Sequence, residues 1–250
     1  MILRRLAEAI QQQNWFVVLL EVMIVVVGIF IGLQVDDWNQ ERLNRVNETI
    51  YLQEFLEDFE ANRAQLKGSI GAFEEILDAV TALLVQSAKD SPTWTAAQLN
   101  DAFRNVHRMP TFIAVVRTYA NLTGSGDLVL IRNRALKNEL AQYLAAADLA
   151  VLVQNTHEME LVQTFQPYVI KNMDFQAVYH HRIDDFPIPP AVEHDRILEV
   201  LRTREFRNIL TQKHIISTDL INQHRDLLIQ TDRVIAMLRA DLADVTQDRS

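Results

Sequence analysis

Apolar positions fall into three regimes along this chain, and each predicts a helix. Between Trp15 and Val35 the run WFVVLLEVMIVVVGIFIGLQV is apolar on every side and carries one charge, Glu21. Its 21 residues, at about 1.5 Å each, span roughly 30 Å, the hydrocarbon thickness of a bilayer. Trp15 and Trp38 bracket the run, where indoles sit at the two water interfaces. Beyond it, Leu52, Leu56, Phe59, Leu66, Ile70, Phe73, Leu77, Val80 and Leu84 keep a 4-3 spacing broken only at Arg63, which predicts a heptad seam. No proline precedes Pro92 and no glycine lies between Gly32 and Gly68, so the membrane helix is expected to continue unbroken to about Ala88.

The rest of the chain reads as further helices. Ser91-Pro92-Thr93 breaks and restarts the chain. A short helix is expected over Thr95–His107, and a second from Pro110-Thr111 to about Leu122. Gly124-Ser125-Gly126-Asp127 is a turn, with Ser125 or Asp127 as a cap. Asn133 caps a long helix that places Leu136, Leu140, Tyr143 and Ala147 on one face and runs to Pro167, where it kinks or ends. Pro187, Pro189 and Pro190 predict an irregular connector over residues 174–193. Leu220/Ile221, Leu227/Leu228 and Val234/Ile235 recur every seven residues and, with Leu238, Leu242 and Val245, define a final helix from about Glu205. The expected fold is all-α: one transmembrane helix continuing into a long amphipathic helix, plus an elongated antiparallel helical bundle. The expected organisation is a cytoplasmic tail (1–14), an anchor (15–35), an extramembrane helical domain (36–245) and a frayed tail (246–250).

Composition narrows what such a protein does. A net charge of −9 lacks the basic footprint of a nucleic-acid binder. With no cysteine, disulfides, thiol catalysis and thiolate-held metals are excluded. The apolar core is too long for a removable signal peptide, and Gln34-Val35-Asp36-Asp37 is a poor cleavage site. Arg4 and Arg5 before the span, against Arg42 and Arg45 after it, give a slight bias toward a cytoplasmic tail and a periplasmic domain.

Two parts of the anchor carry candidate chemistry. At about 100° per residue, Glu21, Gly28 and Gly32 share one face, which is the pattern of a close helix–helix interface inside lipid. Gln34, Asp36, Asp37, Trp38 and Asn39 form a polar exit that either ends the span or contacts a partner. Elsewhere His180, His181, Asp184, Asp185, His194 and Asp195 are the densest set of potential metal ligands, but their spacing matches no metalloenzyme pattern and a solvated loop is the expectation. The Gly124–Asp127 turn lacks the lysine of a phosphate-binding loop. His157, Glu158 and Glu160 lack the HExxH spacing and read as a solvated helix face.

From Glu21 to Asn39 the chain resembles a widespread bacterial family of membrane-anchored proteins catalogued only as a domain of unknown function. Glu21, Gly28, Leu33-Gln34-Val35-Asp36-Asp37-Trp38-Asn39 and Glu41 stand in that family's order. Ser125-Gly126-Asp127-Leu128, Ile131, Asn133 and Leu136 resemble its central motif, and Phe206-Arg207-Asn208 with Gln212-Lys213-His214 its final helix. The resemblance implies a bacterial inner-membrane protein with a helical domain, and brings no activity or cofactor. The expectation is a non-enzymatic structural or accessory subunit that needs no cofactor. Its partners would be the bilayer and other membrane helices, its own copies or a larger complex. The alternative is a ligand-binding sensory ectodomain acting through a partner membrane protein.

Overall fold

A computed structural model describes residues 15–89, 93–176 and 194–247. Among them are helices and connecting loops, with no strand. The first helix, α1 (Trp15–Ser87), runs the length that its lack of proline allows. The chain divides into two units, residues 1–50 and 51–250. In the first, the described residues are all helical, and the apolar stretch is long and apolar enough to cross a membrane, with none of its most apolar window covered by protein. Beyond Trp38 local pairs decorate the helix, including Glu41 with Arg45 at 3.5 Å and Gln40 with Asn44 at 3.2 Å.

The second unit is a bundle of four arms. After α1 come α2 (Ala96–Val106) and α3 (Arg117–Ser125), then a 3-10 turn (Asp127–Leu130) and α4 (Arg134–Glu160). A π-helical turn (Leu161–Phe165) leads into α5 (Gln166–Asn172); α6 (His194–Arg202) and α7 (Arg204–Gln247) complete the described chain. Pairings across the bundle set directions. Glu60–Arg239 (2.6 Å), Arg63–Asp232 (2.8 Å) and Glu74–Arg225 (2.6 Å) run α7 antiparallel to α1. Phe59–Tyr143 and Phe73–His157, with ring centroids 4.7 and 5.4 Å apart, run α4 parallel to α1. Asn133–Asp241 (2.9 Å) and Glu139–Arg233 (2.8 Å) set α4 against α7. The arm between α1 and α4 returns from Arg108 beside Glu75 to Thr118 beside Asp58. The order is up, down, up, down.

Local signals place several boundaries. Thr95 caps α2 through a capping box, its hydroxyl accepting from the Gln98 amide at 3.3 Å while Gln98 Oε1 accepts from the Thr95 amide at 2.9 Å. Asn133 Oδ1 accepts from the Leu136 amide at 3.1 Å. Gly126 closes α3 at φ +85°, a left-handed conformation that suits glycine, and the Ser125 hydroxyl, one of the two expected caps, lies 3.4 Å from the Leu122 carbonyl and accepts from the Asp127 amide at 3.3 Å. Ser91 and Pro92 lie outside the described residues, as does most of the 174–193 connector.

Three expectations are corrected. The seam of α1 is not the one that follows Leu56, Leu77 and Leu84. Leu52, Phe55, Phe59, Asn62, Leu66, Ser69, Phe73, Ile76, Val80, Leu83 and Ser87 are buried in an unbroken 4-3 series that admits three polar residues; the expected Leu52, Phe59, Leu66, Ile70, Phe73 and Val80 are buried, while Leu56, Leu77 and Leu84 are only half-buried at its flank. Arg63 interrupts nothing; it leans outward to Asp232 while its neighbour Asn62 is buried. Second, Pro110 does not open a helix. Residues 108–116 are non-helical, in keeping with Pro110 and the β-branched Ile113, Val115 and Val116. The Asn62 amide mimics a strand partner here, donating to the Val115 carbonyl at 2.9 Å and accepting from its N–H at 2.6 Å. Asp58 then caps α3 from across the bundle, accepting from the Thr118 amide and from Arg117, each at 2.8 Å, since Val116 has no side chain to do it. Third, Pro167 does not end its helix. The wider π turn just before it absorbs the proline ring and its missing donor, and the helix continues to Asn172.

Candidate functional site

The seam of α7 is where the sequence hides most. Phe206, Leu210, Lys213, Ser217, Leu220, His224, Leu227, Thr231, Val234 and Leu238 are all buried in a strict 4-3 series, and four of the ten are polar. On α4, His157 and Glu160 also point inward, correcting the solvated face expected for them, while Glu158 is exposed as expected. These residues divide the core. One apolar cluster gathers Ile76, Leu83, Phe103, Phe165 and Phe206; the other gathers Phe55, Leu66, Phe112, Tyr143 and Val234. On every arm a polar stretch falls near the division: Ser69 on α1, residues 107–111 on the returning arm, His157 and Glu160 on α4, and Lys213 to His224 on α7.

Inside this belt Lys213 Nζ lies 3.2 Å from His157 Nε2 and 3.9 Å from Glu160 Oε2. An ammonium only donates, so His157 Nε2 is the acceptor and the neutral ring carries its proton on Nδ1. That Nδ1 has no hydrogen-bond partner, nor do both Glu160 oxygens, Ser217 Oγ and His224 Nε2. Ser69 Oγ meets His224 Nδ1 at 3.2 Å. Aromatic rings complete the walls, with Phe73 edge-on to His157 at 5.4 Å, and Phe73 and Phe112 each 5.8 Å from His224. Such burial disfavours charge. It lowers His157 to about 3, helped by the Lys213 charge, and His224 to about 4. Burial lowers Lys213 to about 8 against the pull of Glu160, and raises the Glu160 carboxyl against the pull of Lys213. His107, at the edge of the belt, is lowered to about 4 by burial and then by Lys213.

Among the described residues, the belt meets the surface at a groove. Gln65, Gly68, Ser69 and Ala72 of α1 form one wall and residues 107–111 the other, around a volume of about 580 Å³. The returning arm is non-helical where it forms this wall. Lys213, His157 and His224 are fully sealed behind it, so they tune its surroundings rather than present themselves to solvent.

The residues singled out in the sequence stand elsewhere. Glu21, Gly28 and Gly32 are exposed on α1, and a Cβ added at either glycine would meet nothing within 4 Å. Gln34, Asp36, Asp37, Trp38 and Asn39 follow on the same helix, all exposed, Trp38 by 69%. His180, His181, Asp184 and Asp185 lie outside the described residues, as do the side chains of His194 and Asp195. Among the described residues no three His, Asp or Glu side chains are grouped to hold a metal ion. The burial of Lys213 and His224 was not anticipated, yet stepping back and forward from Leu220 in alternating fours and threes lands on Lys213, Ser217, His224 and Thr231. No family model matches this chain, and neither the comparison with curated proteins nor that with solved structures returns a significant match.

Proposed function

We propose that this chain is a membrane-anchored structural or accessory subunit without enzymatic activity, held in a bacterial inner membrane by residues 15–35 and carrying its helical domain on the periplasmic side. The observation that carries this reading is the uncovered apolar stretch of α1, where Phe16, Leu19, Ile24, Phe30 and Ile31 are each about 60–70% exposed. Lipid is the solvent that favours such a surface. The likeness of residues 21–39 to membrane-anchored proteins supports the same placement. Assembly runs through the anchor rather than the heptads, because the seams of α1 and α7 are already filled by their own chain. The face of Glu21, Gly28 and Gly32 is its contact surface, with a basic or hydrogen-bond-donating residue of the partner helix opposite Glu21.

Alkaline extraction of native membranes tests the anchor; release of the protein into the soluble fraction overturns it. Assembly is tested by native size in mild detergent, where E21L and G28L are expected to reduce the complex. A wild-type chain that runs as a lone monomer removes the accessory role. Protease protection in spheroplasts reports the side on which the domain lies.

A second reading is favoured by the groove beside Ser69 and His107: a ligand-binding sensory domain that acts through a partner membrane protein.

A further inference from the structure

We propose that the groove between α1 and residues 107–111 binds a small molecule through a carboxylate or phosphate group, with Arg108 as the principal cation. Its volume of about 580 Å³ lies within the range of small-ligand sites. The chemistry of its walls is one-sided. Gln65, Arg108 and Thr111 bring donors, and among the described residues no carboxylate lines it. Glu75 engages Arg108 through Nη1 alone, which leaves the rest of the planar fork for a second oxyanion. Behind the wall the buried Lys213 adds positive potential, felt already at His107, through a low-dielectric interior where fields carry further than in water.

The α1 wall is kept low by Gly68, Ser69 and Ala72, and a Cβ built at Gly68 meets nothing within 4 Å. The open space is therefore not needed for the helices to pack. Ser69 links groove to interior, since the residue lines the groove and its buried hydroxyl lies 3.2 Å from His224 Nδ1. This assigns a ligand class to the sensory reading and rests on it for the consequence of binding. The two fail separately, because binding is read on the purified chain and signalling is not.

The experiment is isothermal titration of the full chain in detergent micelles at pH 7, with succinate and inorganic phosphate as separate probes. Saturable binding of one probe is expected, and which one binds distinguishes a carboxylate ligand from a phosphorylated one. R108Q is expected to weaken it at least tenfold. G68L is expected to abolish it while unfolding at nearly the wild-type temperature, since its side chain enters the groove rather than the core. Absence of saturable binding by either probe, or wild-type affinity in G68L and R108Q, overturns the site. A groove that binds succinate or phosphate in a chain that transmits nothing leaves the site standing and removes only the sensory reading.

Discussion

Lys213 and His157 meet at 3.2 Å with both side chains fully excluded from water, and Glu160 stands 3.9 Å from the same ammonium without a hydrogen bond of its own. Three ionisable groups thus share an interior that satisfies them only in part. Removing one partner of such an arrangement costs about 3–5 kcal/mol, whereas replacing both by apolar groups of similar volume is often neutral or stabilising. K213M is therefore expected to lower the unfolding midpoint markedly, and K213M/E160L to recover most or all of the loss. Denaturant titration of the two singles and the double gives the coupling. Purely additive losses would remove the interaction from the account.

The histidines make stability depend on acid. An unfolded histidine titrates near 6.5, but His157 in the fold titrates at about 3 and His224 at about 4. Between those values the unfolded chain binds more protons, so stability falls as pH drops from about 6.5 toward 4. His157 faces Lys213 and Glu160, while His224 faces Ser69 and the rings of Phe73 and Phe112. Glu160, with its carboxyl raised, acts in the opposite sense by holding a proton in the fold that the unfolded chain releases. Melting temperatures from pH 7.5 to pH 4 should decline, and H224Q should flatten the slope. A level profile in the wild type would contradict the sealed, neutral histidines.

Asp58 is expected to matter more than an ordinary surface acid. It is 2% exposed, holds the Thr118 amide and Arg117, and supplies the cap that α3 lacks. D58A should cost about 1–3 kcal/mol by stranding a helix-end donor. D58N, which keeps one acceptor for Thr118, should lose less. Equal losses in equilibrium unfolding would show that capping is not the role.

Two neighbouring glycines should respond in opposite directions. Gly126 holds φ +85°, so G126A is expected to cost about 1 kcal/mol or more. Gly124 lies inside α3 with open space around it, so G124A should leave stability unchanged or raise it by up to about 1 kcal/mol. Thermal unfolding of the pair checks the sign.

What was legible in the sequence was local. Asn133 caps α4 through an amide three residues on, and the turn over residues 124–127 is local as well; the capping role of Thr95 and of Gly126 within these stretches was not anticipated. The length of α1 follows from where proline is missing. Misreadings came where two distant segments decide together. Leu56, Leu77 and Leu84 are greasier than Asn62 and Ser69, so hydrophobicity chose the wrong side of the seam; Asn62 is buried because Val115 needs a partner 53 residues away. The non-helical arm is held likewise by Gln154, whose side chain accepts from the Phe112 amide at 2.7 Å. His157 and Glu160 looked solvated because charge was taken as a sign of surface, and Lys213, which makes their burial tolerable, lies more than fifty residues further on.

The polar positions of the α7 seam have a consequence for register. A seam of leucines alone would tolerate a slide of one heptad against its neighbours. Here such a slide would take His224 from Ser69 to face Asn62 or Ile76, carry Lys213 away from both His157 and Glu160, and leave Asp241 without the Asn133 amide. Each mismatch would bury a lone polar group, so the final helix has one register against its neighbours.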